Sequence, residues 1–509
     1  MRKSFWRIAI TVLSIMLLFG SLGIAEAQST PKYVFLFIGD GMSLSLVHAT
    51  QMYLHALKSD KPGAEQLSFT TFPVVGLTST YDAGRYITDS ASAITAIMSG
   101  QKTLDGVLNM DPTLTKTFKT FAEEAKEKGM KIGVLSTVSL DHATPAGLYA
   151  HQPSRNNYYE IALEIPKSGF NFFAGGGFRE PKGKKGDQRD VLEILKEAGY
   201  TIVTTREEFE KLSPPQDKII VINPTLDADA AMPYAIDRSA TDFSLAELTR
   251  KAIELLENPQ GFFMMVEGGK IDWACHANDV KTAIGDVLDF ERAVAEAVEF
   301  AKKHPEETLI VVTSDHGNGG ISLGYALTGY NLFLHRLENQ KVSYLVFSEK
   351  VKSWRETTPK EEQKLANFLP IIEEYFGLRI LSKEEKEQLA AKAKEGDKNA
   401  AELLGLSLED HEIALLERAF AASMSGEKLT DPESKLLFGG YDPLTVTLTR
   451  LLAAKAGIGW TTFAHTAEPT PVFAFGAKAD LFGGFYDNTD LYTKFKVALG
   501  LVPAESVTR

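Results

Sequence analysis

Gly261-Phe262-Phe263-Met264-Met265-Val266-Glu267-Gly268-Gly269-Lys270-Ile271-Asp272-Trp273-Ala274-Cys275-His276 passes from an unbroken apolar run, through two glycines, into a helix start. The apolar run has the length and composition of a strand buried on both faces, as strands of a parallel sheet are. Asp272 and His276 stand four residues apart, so on a helix they share one face and can grip one ion together. Glu267 sits upstream at the strand end. Three such ligands around one strand-to-helix turn point to metal-dependent hydrolytic chemistry.

The same strand signature recurs at Tyr33 to Ile38, Lys131 to Val138, Thr308 to Thr313 and Pro471 to Phe475, each rich in Val, Ile, Phe and Leu and followed by polar residues or glycine. Amphipathic helical segments alternate with these runs. The pattern predicts an α/β fold, a three-layer α/β/α sandwich with a mostly parallel central sheet and a helical insertion. The helix Ile284 to Lys302 is expected to cross over between the strands that precede Glu267 and Asp315, taken as parallel neighbours. From about residue 342 to 445 the chain turns to charged helical segments such as Pro359 to Tyr375 and Lys383 to Glu417, read as the insertion within one catalytic domain spanning 28–509.

Ligands of open α/β sheets gather outside the carboxyl ends of the strands. Each of the first four strands leads within a few residues to an oxygen ligand: Asp40, Thr144, Glu267 and Asp315, the last followed by His316. Asp40 lies between two glycines, and taken alone reads as a turn aspartate. Thr144 can offer a hydroxyl to a hard ion, and Arg155 can present its planar fork to two phosphate oxygens. In Thr88-Asp89-Ser90-Ala91-Ser92-Ala93, Ser90 opens a helix where unpaired N–H groups and the dipole welcome an anion. Asp89 or Ser90 also reads as an N-cap. No Ser-His-Asp arrangement is apparent, so activation of Ser90 points to metal. His465 precedes the last strand, while His48, His55, His151, His304, His335 and His411 lack such company and read as structural.

The chain of 509 residues is 44% hydrophobic and 24% charged, ordinary for a globular enzyme, with a net charge of −13. Nucleic acid is not an expected partner, because no basic stripe is present and the charge run Lys383 to Lys398 alternates in sign. Arg2, Lys3 and Arg7, an apolar stretch from Ile8 to Phe19, and Ala25-Glu26-Ala27 read as a signal peptide over 1–27, giving a periplasmic or secreted protein that starts near Gln28. The apolar stretch is too short for a membrane span, so no stable anchor is expected after cleavage. Cys275 is the only cysteine, excludes an intrachain disulfide, and reads as a small structural residue.

Taken together, IGDGM at Ile38, TDSASA at Thr88, HATPAG at His142, VEGGKIDWACHAND at Val266, TSDHG at Thr313, AHT at Ala464 and YDNTD at Tyr486 resemble the alkaline phosphatases, in family order. The resemblance covers Lys32 to about Gly320 and resumes from about Gly459 to Leu501. It implies a phosphomonoester hydrolase working through a phosphoserine at Ser90, with a phosphodiesterase of the same superfamily as the alternative. It further implies one metal on Asp272, His276 and His465, and a second on Asp40, Asp315, His316 and Ser90. A third would sit on Asp40, Thr144 and Glu267, with Arg155 clamping phosphate. Two zinc or cobalt ions and one magnesium are implied, along with small phosphomonoester substrates and a homodimer. Three dications against four carboxylates, a Ser90 alkoxide and Arg155 leave the site at about +2, suited to a phosphate dianion.

Relatives often carry aspartate or histidine at the position of His142 and lysine or histidine at that of Trp273; this chain combines His142 with Trp273. An imidazole at the third site, where magnesium prefers oxygen, opens that site to zinc or cobalt. Gly317-Asn318 stands where many relatives have Glu-Thr.

Overall fold

The computed structural model describes residues 29–506, so the expected signal peptide lies outside the described residues. Ten strands form the central sheet: β1 (Tyr33–Gly39), β2 (Val74–Ser79), β3 (Lys131–Ser136), β4 (Phe172–Gly175), β5 (Thr201–Val203), β6 (Ile219–Ile222), β7 (Phe262–Gly268), β8 (Thr308–Thr313), β9 (Thr470–Gly476) and β10 (Gly484–Asp487). Their order is β10-β2-β9-β8-β1-β7-β3-β4-β6-β5. Only β9 runs antiparallel to its neighbours.

Alternation along β1 builds the three layers. Tyr33, Phe35 and Phe37 join the core that includes Leu248, Phe290 and Val294 of the helices Leu245–Leu256 and Val280–Lys303. Val34, Leu36 and Ile38 join the core on the other face, with Ile94, Phe121 and Phe495 of Ser90–Ser99, Phe121–Glu127 and Asp490–Ala498. Fully burying such a side chain is worth roughly 1.5–3 kcal/mol, so a one-residue slip of β1 would misplace all six. Edge-to-face ring pairs lock both layers, Phe37 on Phe290 at 5.8 Å and Phe121 on Phe263 at 5.0 Å.

The predicted crossover differs in one respect. Val280–Lys303 does follow β7 and lead to β8, but β1 lies between those two strands and pairs with both. The helix therefore spans a strand already in place, which is how a doubly wound sheet brings its earliest strand to its centre.

From Tyr344–Thr357 to Pro443–Ala456 the regular elements are helices. The single predicted segment over Lys383 to Glu417 is three helices, Lys383–Lys394, Lys398–Gly405 and Asp410–Ser425. Lys383–Lys394 buries none of its residues, in keeping with its alternating charges. Phe347, Phe368, Phe376 and Phe420 give these helices an aromatic core continuous with that of the sheet. Tyr441 and Arg450 reach Phe463, two residues before His465. No helix among the described residues is long and apolar enough to cross a membrane.

Candidate metal centre and nucleophile

Strand register sets the site. Ile38 of β1 stands opposite Glu267 of β7 and Thr313 of β8, and Ser136 of β3 stands opposite the same Glu267. Asp40, Glu267 and Asp315 therefore emerge together at the carboxyl ends of three adjacent central strands. The turn after β1 requires Gly41, whose φ is +64° and where a Cβ would lie 2.8 Å from Asp272 Oδ1. Gly41 N donates to Asp315 Oδ1 at 3.2 Å, tying the β1 and β8 turns together.

Three sets of ligand atoms converge, each within 4.8 Å: Asp272, His276 and His465; Asp40, Asp315 and His316; Asp40, His142 and Glu267. His465 arrives through a two-residue antiparallel ladder in which it pairs with Asn318 and Thr466 pairs with Gly317. His276 Nδ1 donates to the Phe463 carbonyl at 2.7 Å and His465 Nδ1 to the Thr88 carbonyl at 2.9 Å, so each Nε2 is left as an acceptor. Those two Nε2 atoms face each other at 3.0 Å. Two lone pairs so close repel unless a cation lies against both.

His316 repeats the pattern. Its Nδ1 points to the Gly317 carbonyl at 3.3 Å, while Nε2 faces Asp40 Oδ1 at 3.3 Å, Asp315 Oδ2 at 3.2 Å and Ser90 Oγ at 3.3 Å. Burial, with Asp315, Asp272 and Glu267 nearby, raises the Asp40 carboxyl well above its usual range. Burial and the charges of Asp272 and Glu267 push Asp315 up to about 8, and burial pushes Glu267 up to about 7. Burial also drives the His316 imidazole well down, and its neighbour His465 adds to this. Asp272 goes the other way: burial is overcome by His276, His465 and His316, which hold it low.

The donor set fits divalent cations. Both oxygens of Asp40, Thr144 Oγ1, Glu267 Oε1 and Asp315 Oδ2 are buried with no hydrogen-bond partner among the described residues. Orphaned acceptors of this kind cost several kcal/mol together unless a cation takes them up. Two imidazoles with one carboxylate match zinc; carboxylates with a hydroxyl match magnesium, which the His142 nitrogen disfavours.

Ser90 is the first residue of Ser90–Ser99, with Asp89 as N-cap accepting from Ser92 N at 2.9 Å. The N-cap is thus Asp89, and its second oxygen takes Arg155 Nη1 at 2.8 Å. Arg155 Nη2 contacts His142 Nε2 at 3.1 Å. Burial favours a protonated Asp89, yet the Arg155 guanidinium and the Ser92 bonds hold its pKa far below the usual range. Burial and the same guanidinium lower His142 to about 3, keeping it neutral. Trp273 packs edge-on to His142 at 5.8 Å. Cys275 is buried, with its thiol held well above its ordinary range by that burial.

All twelve predicted residues thus gather around the carboxyl ends of the central strands. Sequence reasoning missed two supports. Ser136 donates its hydroxyl to Glu267 Oε2, and Asn318 Nδ2 donates to Asp272 Oδ1 at 2.6 Å. The Gly317-Asn318 departure therefore supplies an amide that orients a ligand.

Known proteins resemble this chain over most of its length. The family model described as alkaline phosphatase matches residues 31–176 and 170–402. Alkaline phosphatase 3 of Bacillus subtilis (strain 168) is 32% identical over 473 residues, 91% of this chain and 88% of that protein; alkaline phosphatase 4 of the same organism is 30% identical, covering 90% and 87%. The cold-active alkaline phosphatase of a psychrophilic Shewanella superposes with a TM-score of 0.70 at 27% identity, over 92% of this chain and 99% of that one. The Thermus thermophilus alkaline phosphatase gives 0.72 at 25% identity, over 95% of each. A histidine-to-glutamate variant of the alkaline phosphatase from the Antarctic bacterium TAB5 is 26% identical, with a TM-score of 0.60 over 93% of this chain and 99% of that one, and has magnesium bound in its M3 site.

Proposed function

We propose, from the premise that this chain belongs to the alkaline phosphatase family and is a metal-dependent phosphomonoester hydrolase, that Ser90 is the nucleophile and Arg155 the phosphate clamp. The observation that carries this reading is Ser90 Oγ 3.3 Å from His316 Nε2, beside the two carboxylates that the imidazole faces. Asp272, His276 and His465 would hold one ion, Asp40, Asp315 and His316 a second, and Asp40, Thr144 and Glu267 a third with His142 adjoining. Zinc or cobalt suits the first two. The third takes magnesium by its oxygens, with zinc or cobalt as the alternative. When bound, these ions neutralise phosphate charge, favour the Ser90 alkoxide and stabilise the leaving oxygen.

Ser90 Oγ, its proton lost to solvent, forms a bond to phosphorus as the bond to the leaving oxygen breaks, and the leaving alkoxide takes a proton from solvent. Water then attacks the phosphoserine in line, the Oγ–phosphorus bond breaks, and inorganic phosphate departs. Arg155, braced by Asp89 and His142, presents its remaining N–H groups to nonbridging oxygens. A diester has one of those oxygens esterified. Phenyl phosphate should therefore be turned over with a kcat/KM roughly 100-fold or more above that of its diester. A diester preference would move the chain to the phosphodiesterase alternative.

The basic start and apolar run of residues 1–27 support export to the periplasm or beyond. Small phosphomonoesters are the substrates, and we carry a homodimer as the expected assembly.

A further inference from the structure

We propose that Tyr86 and Ile87, with Arg85 at the rim, form a subsite for an aromatic leaving group, sized for a purine nucleoside; the inference rests on the monoesterase reading above. A cleft of about 550 Å³ lies by the start of the nucleophile helix, lined by His276 and His465 of the metal centre, by the helix cap Asp89, and by Arg85, Tyr86, Ile87 and Ala464 among others. Tyr86, Ile87 and Ala464 are its apolar walls, beside a charged centre. Tyr86 is 89% exposed and Ile87 45% exposed, an uncovered aromatic–aliphatic pair four and three residues before the nucleophile. Large apolar side chains left open beside a reacting centre mark contact with ligand.

The segment is held in place before any ligand arrives. Asp82 Oδ1 accepts from Gly84 N and Arg85 N, both at 2.6 Å, and the Arg85 carbonyl accepts from Asp82 N at 3.1 Å, closing a tight turn. Arg85 Nη1 pairs with Asp105 Oδ2 at 2.6 Å. At the other end the Thr88 carbonyl takes His465 Nδ1, so the wall and a metal-centre histidine move as one piece. With both flanks anchored, the backbone that carries Tyr86 and Ile87 along the cleft is fixed before binding.

Direction follows from the chemistry. The oxygen displaced in line by Ser90 departs on the side of the Asp272, His276 and His465 set, and two of those residues line this cleft. Whatever the leaving oxygen carries must therefore lie in it. A phenyl ring would leave most of this space unfilled; a nucleoside fills more of it, with its base on the Tyr86 ring.

Adenosine 5′-monophosphate and glycerol 1-phosphate both release an alkyl alcohol, so their intrinsic reactivity is matched and they differ in the base. The full-length holoenzyme should have the higher kcat/KM for the nucleotide. Tyr86→Ala should lower kcat/KM for the nucleotide five- to tenfold more than for glycerol 1-phosphate, a range expected of one lost base–aromatic stack, and Tyr86→Phe should restore the wild-type ratio. The exposed Tyr330, which is not among the residues lining the cleft, serves as control, with no change of ratio in Tyr330→Ala. Equal losses for the two substrates, or an unchanged ratio in Tyr86→Ala, would overturn the subsite. Wild-type enzyme that hydrolyses neither monoester would overturn the underlying reading and the subsite with it.

Discussion

Replacing Ser90 by alanine should lower kcat by ~10⁴-fold or more, a loss of roughly 5.5 kcal/mol of transition-state stabilisation, while the protein stays folded and keeps its metal. Alanine has the best helix propensity, and the Asp89 cap uses the Ser92 amide rather than the Ser90 side chain, so the helix start is preserved. The carboxylates and imidazoles of all three ligand sets remain in place. Only the covalent route is removed, leaving direct attack by water. Phosphoprotein trapped by acid quench should disappear from the variant, and metal analysis should match wild type. An active Ser90→Ala enzyme would defeat the covalent mechanism.

Stripping the metal with a chelator should destabilise the protein, and increasingly so as pH rises. In the metal-free site Asp315 and Glu267 have folded pKa values of about 8 and about 7, against ordinary values of 3.8 and 4.5. A carboxyl raised in this way contributes fully below its unfolded value and loses that contribution as pH climbs through its folded value. The window therefore runs from about pH 4 to about pH 8. Above it Glu267, Asp272 and Asp315 share a buried pocket as anions. Bound cations replace the missing protons, so the loaded protein escapes the loss. Melting of the stripped protein should fall by roughly 5 °C or more between pH 5 and pH 9 relative to the loaded protein. A metal-dependent difference that is the same at both pH values would contradict this.

How far the sequence could be read depended on the physics of each element. The five strands inferred from sequence are longer runs with both faces buried. Ile219–Ile222 and Phe172–Gly175 have four residues each and Thr201–Val203 has three, too short for periodicity to separate strand from buried helix. Strand order was invisible for another reason: nothing local in β1 says that it will lie between β7 and β8. The first-contact ligands were legible because carboxylates and imidazoles at strand ends are few. His465 needed the family pattern, since its approach depends on a two-residue ladder with Gly317–Asn318. Ser136 and Asn318 gave no signal, because serine and asparagine are ordinary turn residues whose role here is set by what they meet in space.

Asp40 belongs to two of the three ligand sets, so the most direct test is a count of metal ions per chain in wild type and in Asp40→Ala. One shared pocket predicts three ions in the wild-type protein and a single retained ion, on Asp272, His276 and His465, in the variant. A variant that keeps all three, or a wild-type chain that binds none, would contradict it.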